Sequence, residues 1–164
     1  MGVCFFTRPL LALDTYQKPE IFLKEAFPNV TPQAEVLWIT KTRGETARRI
    51  LGHNFGVLRQ RYWRSGERTV WILDEIGKMH PITTGIIIEG NAIKRIRVLI
   101  YRESRGGEVR YPFFTEQFEG ATLTKDLKLD RHIDGISGAT LSIRALTHLA
   151  ELALYLHGEA TNTP

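Results

Sequence analysis

Apolar and polar positions change period several times along the chain. Residues 17–27, QKPEIFLKEAF, place Ile21, Phe22 and Ala26 at helical spacing, and Pro19 suits a first turn. A short apolar run, EVLWI, within 34–39 reads as a strand. Thr42 followed by Glu45 has the form of a capping box opening a helix over 43–52, which Gly52 closes. The pattern then turns strand-like. Segments 58–63 and 69–76 flank Arg64-Ser65-Gly66-Glu67, and segments 83–89 and 93–101 flank Gly90-Asn91, which predicts two hairpins. Ile93, Ile96, Val98 and Ile100 break their alternation once, the mark of a bulge. Residues 102–111 form a polar loop containing glycine, 112–118 make one or two helical turns ended near Gly120, and 121–137 are mostly loop. Leu141, Ala145, Leu149, Leu152 and Leu156 then mark a long helix over 138–157. Strands joined this closely argue against repeated βαβ units. The expected fold class is α+β: an antiparallel sheet built from hairpins, with flanking helices and a long C-terminal helix.

Composition narrows the function classes. The chain has 164 residues, 43% apolar and 24% charged, which fits one globular domain with its own core. The formal charge of +4 is spread over Arg48, Arg49, Arg59, Arg61, Arg64, Lys94, Arg95 and Arg97. No basic block stands out, so a solvated surface is expected and nucleic acid is not. The single cysteine, Cys4, can build neither a disulfide framework nor a thiolate metal site. No apolar run is long enough to span a membrane. Phe5, Phe6 and the stretch Pro9-Leu10-Leu11-Ala12-Leu13 look like the tail of a signal peptide's apolar region, so export to the periplasm is expected; an ordinary N-terminal arm is the plainer alternative. The five histidines are scattered, no metal-ligand spacing or nucleophile elbow occurs, and Asp126, Asp130 and Asp134 lack the calcium-loop pattern.

The chemistry concentrates in Asp134-Gly135-Ile136-Ser137-Gly138-Ala139-Thr140-Leu141-Ser142. This is a loop with two glycines running into a helix start. Glycine permits close approach and left-handed backbone, and a helix N-terminus presents unpaired N–H groups and the positive end of a dipole to an anion. Ser137, Thr140 and Ser142 add hydroxyls. The stretch is therefore a candidate phosphate site. The competing reading has Ser137 merely capping the helix and the glycines merely turning the chain.

Ser137-Gly138-Ala139-Thr140, with Asp134 ahead and Ser142 behind, resembles the flavinylation motif of the FMN-binding domain family. That family includes flavin-bearing components of the sodium-pumping NADH:quinone reductase and of a related electron-transport complex. The following helix, the hairpin 83–101, Glu103 in its loop and Phe114-x-x-Gln117-Phe118-x-Gly120 are similar to the family's order of elements. The resemblance covers about residues 75–157. It implies FMN held by a phosphoester on Thr140, placed there by a separate flavin transferase that uses FAD and a divalent metal and releases AMP. Ala139 and Gly138 would keep bulk away from Thr140, and Asp134 would order the loop or be read by the transferase. Phe113, Phe114 and Phe118 are candidates for an apolar wall against the isoalloxazine, unless they are core. Glu103 and Gln117 are candidates for its polar edge, and Lys78 for a neighbour, unless it is simply solvated. The larger relatives carry an N-terminal transmembrane helix that this sequence lacks as given, so it resembles the small stand-alone periplasmic type.

The segmentation expected from these readings is a signal remnant or N-terminal arm over 1–14, an N-terminal half or extension of the same domain over 15–74, an FMN-binding core over 75–157 and a tail over 158–164. The function implied is electron relay to or from a membrane or periplasmic redox partner. A flavin-dependent reductase of a small acid, or a binding module that has lost its flavin, are the rivals.

Overall fold

A computed structural model describes residues 14–162. The apolar segment proposed as a signal remnant falls, except for Asp14, outside the described residues. Six strands form one antiparallel sheet: β1 (Asp14–Thr15), β2 (Gln33–Trp38), β3 (Arg59–Ser65), β4 (Arg68–Ile76), β5 (Pro81–Glu89) and β6 (Ala92–Tyr101), in the order β1-β6-β5-β4-β3-β2. Helices α1 (Pro19–Ala26), α2 (Lys41–Leu51), α3 (Pro112–Thr115) and α4 (Thr140–Thr161) complete the α+β architecture.

Both hairpins form, and both are tighter than a four-residue turn. Ser65 pairs with Arg68 across Gly66-Glu67, and Glu89 pairs with Ala92 across Gly90-Asn91. Gly66 and Gly90 take positive φ, as such two-residue turns require. The β5–β6 ladder carries two register shifts, at Thr83/Thr84 and Ile87/Ile88, rather than one. Strand β1 escaped the sequence reading, because two residues pairing with Tyr101 and Ile100 leave no periodicity to read. The α2 cap is also corrected. Thr40, not Thr42, accepts the Arg43 N–H at 3.3 Å, so Thr42 and Glu45 lie inside the helix. Trp38 is still paired in β2, and Thr40 is the extended residue from which the helix starts. Gly52 closes α2 in the left-handed conformation, as expected.

The sheet has two differently covered faces. Helix α4 and α2 pack on one, enclosing Tyr62, Trp71, Ile82, Ile86, Ile88, Ile96 and Val98 with Leu149, Leu152 and Leu156. On the other, α1 sets Phe22, Ala26 and Phe27 against Val70, Ile87 and Leu99. Phe22 lies so close to Gly85 that a Cβ there would sit 2.4 Å from its ring. The sheet runs through both proposed halves, and residues 74 and 75 are neighbours within β4. Helix α4 continues past His157 through Gly158 to Thr161, shortening the expected tail.

A buried polar chain fixes the far end of α4. The Trp71 indole N–H donates to Thr69 Oγ1 at 2.9 Å, Thr69 lies 2.7 Å from His157 Nδ1, and His157 Nε2 donates to the Gly90 carbonyl. That pairing uses the neutral ring, and burial holds its pKa below the ordinary 6.5. Below pH 6.5 the unfolded chain therefore binds a proton that the folded ring refuses, and stability falls as pH drops through that window. Half-buried His148, also lowered by burial, acts in the same sense. An NMR titration is expected to show His157 still neutral where a free histidine is already half charged. A His157 midpoint at or above 6.5 would contradict the burial argument.

Candidate functional site

The loop before α4 is shaped by its backbone. The Ala139 N–H donates to the Ile136 carbonyl at 3.1 Å, closing a turn in which Gly138 takes φ +81°. Gly135 has no positive φ, so only Gly138 uses glycine's conformational freedom here. Nothing lies within 4 Å of a Cβ built on Gly138, so a larger residue meets backbone strain there rather than crowding against Thr140.

Helix α4 starts at Thr140, which is exposed, with buried Ala139 as its N-cap and no side-chain cap. The capping role considered for Ser137 is thus not what the structure shows. Twenty-two residues of aligned peptide dipole end at an N-terminus open to an outside acceptor. The Asp134 side chain is exposed, with His132 Nε2 3.9 Å away. Gln117 accepts the Asp134 N–H at 2.7 Å, which ties the segment after α3 to the motif loop. Gln117 therefore braces the loop's backbone.

Ser142 differs from its two fellow hydroxyls. It is buried, and its Oγ lies 2.8 Å from the Tyr101 hydroxyl, which also donates to the Arg105 carbonyl. Burial pushes the Tyr101 phenol up, with Ser142 acting in the opposite sense. Gly106 completes this joint at φ +83°. A Cβ on it would fall 3.0 Å from both Ser142 Oγ and Tyr101 Oη and 3.4 Å from Ala139 Cα. The loop after β6 is thus drawn tightly onto the start of α4.

The close approach leaves a cleft of about 380 Å³ beside the motif. Ser137 and Gly138 form one side; residues 104–108 with Arg110 and Tyr111 form the other. The Arg110 guanidinium lies 4.3 Å from the Tyr16 ring centroid and 4.7 Å from that of Tyr111. Tyr111 in turn stacks on Phe113, which is 63% exposed. The accessible flat surface here is therefore Tyr111 and Phe113. Phe114 and Phe118 are fully buried and meet edge to face at 5.6 Å, so they are core rather than wall. Arg110 and Tyr111 were missed by the sequence reading; the signal available was an aromatic pair two residues apart after a Gly-Gly loop.

Glu103 has a structural role. Its Oε1 accepts the N–H groups of Lys78, Met79 and His80 at 2.6, 2.6 and 2.9 Å. Burial works to raise this carboxyl, but those three donors outweigh it and hold the group below the usual carboxylate range. Glu103 thereby locks the turn between β4 and β5. Lys78 lines a separate cavity of about 510 Å³ with His53, Glu75, Arg144 and His148, not the cleft at Ser137 and Gly138. Among the described residues, no cluster of histidine, cysteine or carboxylate side chains is placed to hold a metal ion.

Residues 77–155 match the model of the FMN-binding domain family. The chain carries an FMN-binding domain. The match begins at the turn held by Glu103, covers β5, β6, the cleft and the motif, and ends within α4. No curated protein matches the chain. Strands β2 and β3 extend the sheet of the FMN-binding domain beyond the matched residues, and α1 covers the face opposite α4. The residues present suit a bound FMN: an uncapped helix N-terminus for phosphate, a glycine turn beside it, and the exposed Tyr111 ring on the other side of the cleft. Among the described residues no helix is long and apolar enough to cross a membrane.

Proposed function

We propose that the protein holds FMN covalently through a phosphoester on Thr140 and serves as an electron carrier outside the cytoplasm. The observation that carries this reading is Thr140 itself: an exposed hydroxyl at the first position of a 22-residue helix whose N-terminus has no side-chain cap. Attachment by a flavin transferase joins Thr140 Oγ to the FMN phosphorus of FAD. The bond to the AMP phosphate breaks, AMP leaves, and the hydroxyl proton passes to a base on the transferase. Such an enzyme needs a target it can grip, and the exposed side chains of Asp134, Ser137 and Thr140 offer one.

Each group of the site then has a task. The N–H groups of the first turn and the helix dipole stabilise the charge left on the diesterified phosphate. Tyr111 offers a flat surface across the cleft, with Phe113 stacked on it and Arg110 held over it. Ser142, Tyr101 and Gly106 hold the two sides of the cleft together. FMN supplies the ability to take up two electrons and release them singly. The partner under this reading is a membrane or periplasmic redox protein.

Co-expression with a flavin transferase tests the proposal. Yellow colour should stay with the polypeptide through acid precipitation. It should bleach with dithionite, return with the one-electron acceptor ferricyanide, and show no turnover with fumarate- or urocanate-like acids. Colour released into the acid supernatant would refute covalent attachment; steady turnover of an acid would establish the reductase instead. Gly138→Val should give a folded, colourless protein, because valine resists the φ of +81° that sets the turn. Normal flavin content in that variant would show that the turn is not required.

A further inference from the structure

The sheet face that α1 leaves open carries a second surface, at the end of the β2–β3 ladder. Trp38, at the end of β2, is 61% exposed. Val36, also exposed, continues the patch along β2. The register sets arginines against these positions: Arg59 opposite Trp38 and Arg61 opposite Val36. Alternation puts each such pair on one face, while Leu37 between them is buried in the core on the other.

These cations are uncompensated. Arg43 nearby pairs with Glu159 at 2.7 Å, and Arg68 pairs with Glu89, so arginines of this protein with a reachable carboxylate use it. Among the described residues, no hydrogen bond or ion pair engages the side chains of Arg59 or Arg61. The neighbouring carboxylates do not answer them. Glu35 is taken by Tyr62 on the opposite face, and Asp74 accepts from Thr83.

We propose that this surface docks the protein onto an anionic lipid bilayer, with Trp38 and Val36 entering the headgroup region and Arg59 and Arg61 meeting lipid phosphates. A tryptophan and a valine exposed on one strand face, set against free guanidinium groups, have the chemistry of an interfacial anchor. Unpaired guanidiniums are complementary to a negative surface. The proposal does not depend on the flavin, since the patch lies outside the residues that match the FMN-binding domain.

Flotation of the full chain with lipid vesicles tests it. The protein should float with phosphatidylcholine vesicles that contain phosphatidylglycerol, should not float with phosphatidylcholine alone, and should be released by raised salt. Arg59→Gln and Arg61→Gln should each weaken partitioning roughly fivefold. Trp38→Ser with Val36→Ser should weaken it at least about tenfold. Circular dichroism should stay unchanged, because both side chains project from the surface. Three results would overturn the proposal: no flotation with anionic vesicles, flotation indifferent to these substitutions, or a solution dimer dissolved by the Trp38 change. A dimer would assign the β2 edge to a second copy, and absence of vesicle binding would leave the patch to an acidic protein.

Discussion

Thr140→Ala, made in a host with a flavin transferase, is expected to be folded and without flavin. The loss should be complete rather than graded, because the attachment is one covalent bond at one oxygen. Folding should be preserved, because Thr140 is exposed and makes no side-chain cap for α4. Alanine is the better helix former at an exposed position, so stability should change by no more than a few tenths of a kcal/mol. Ser142→Ala is the informative comparison. Its hydroxyl is buried against Tyr101, so removal should cost about 1 kcal/mol of stability while flavin stays attached. The two variants thus separate chemistry from structure within three residues. Colour in the Thr140→Ala protein, or its loss in a folded Ser142→Ala protein, would reverse the roles given to the two hydroxyls.

Gly85→Val should be the most damaging single change to the fold. A Cβ at this position would lie 2.4, 2.7 and 2.9 Å from three atoms of the Phe22 ring, which is itself fully buried. Neither partner can yield cheaply. Gly85 is paired on both sides, with Ile72 in β4 and Arg97 in β6, and Phe22 is the anchor of α1. Overpacking of this kind costs about 1–3 kcal/mol and more when the neighbour is displaced. A drop in the urea midpoint of that size should appear, with α1 the first element to lose hydrogen-exchange protection. Phe22→Leu should recover part of the loss in the double variant. An unchanged midpoint in Gly85→Val would mean that α1 does not seat on this glycine.

What could be read from the sequence follows from the range of the forces involved. The hairpins were legible because Gly66 and Gly90 sit between alternating runs, a local signal. The body of α4 was legible because Leu149, Leu152 and Leu156 all answer to one core. The cap of α2 was misplaced because Thr40 and Thr42 are chemically equal, and only the end of the β2 ladder chooses between them. The motif loop was legible as a glycine turn running into a helix start from residue types alone. Its neighbours were less so, since their partners lie far along the chain. Glu103 is spent on the turn at 78–80, Gln117 on the Asp134 backbone, and Phe114 and Phe118 on each other. Tyr111 and Arg110 were passed over because nothing local marks a ring as exposed; that depends on how α3 and the loop after β6 settle against Tyr16.

The most direct test of covalent attachment at Thr140 is peptide mass spectrometry on wild-type protein made together with a flavin transferase. The account predicts a single adduct, equal in mass to FMN less water, fragmenting to Thr140. An adduct on Ser137 or Ser142, or an unmodified peptide from a host with an active transferase, would contradict it.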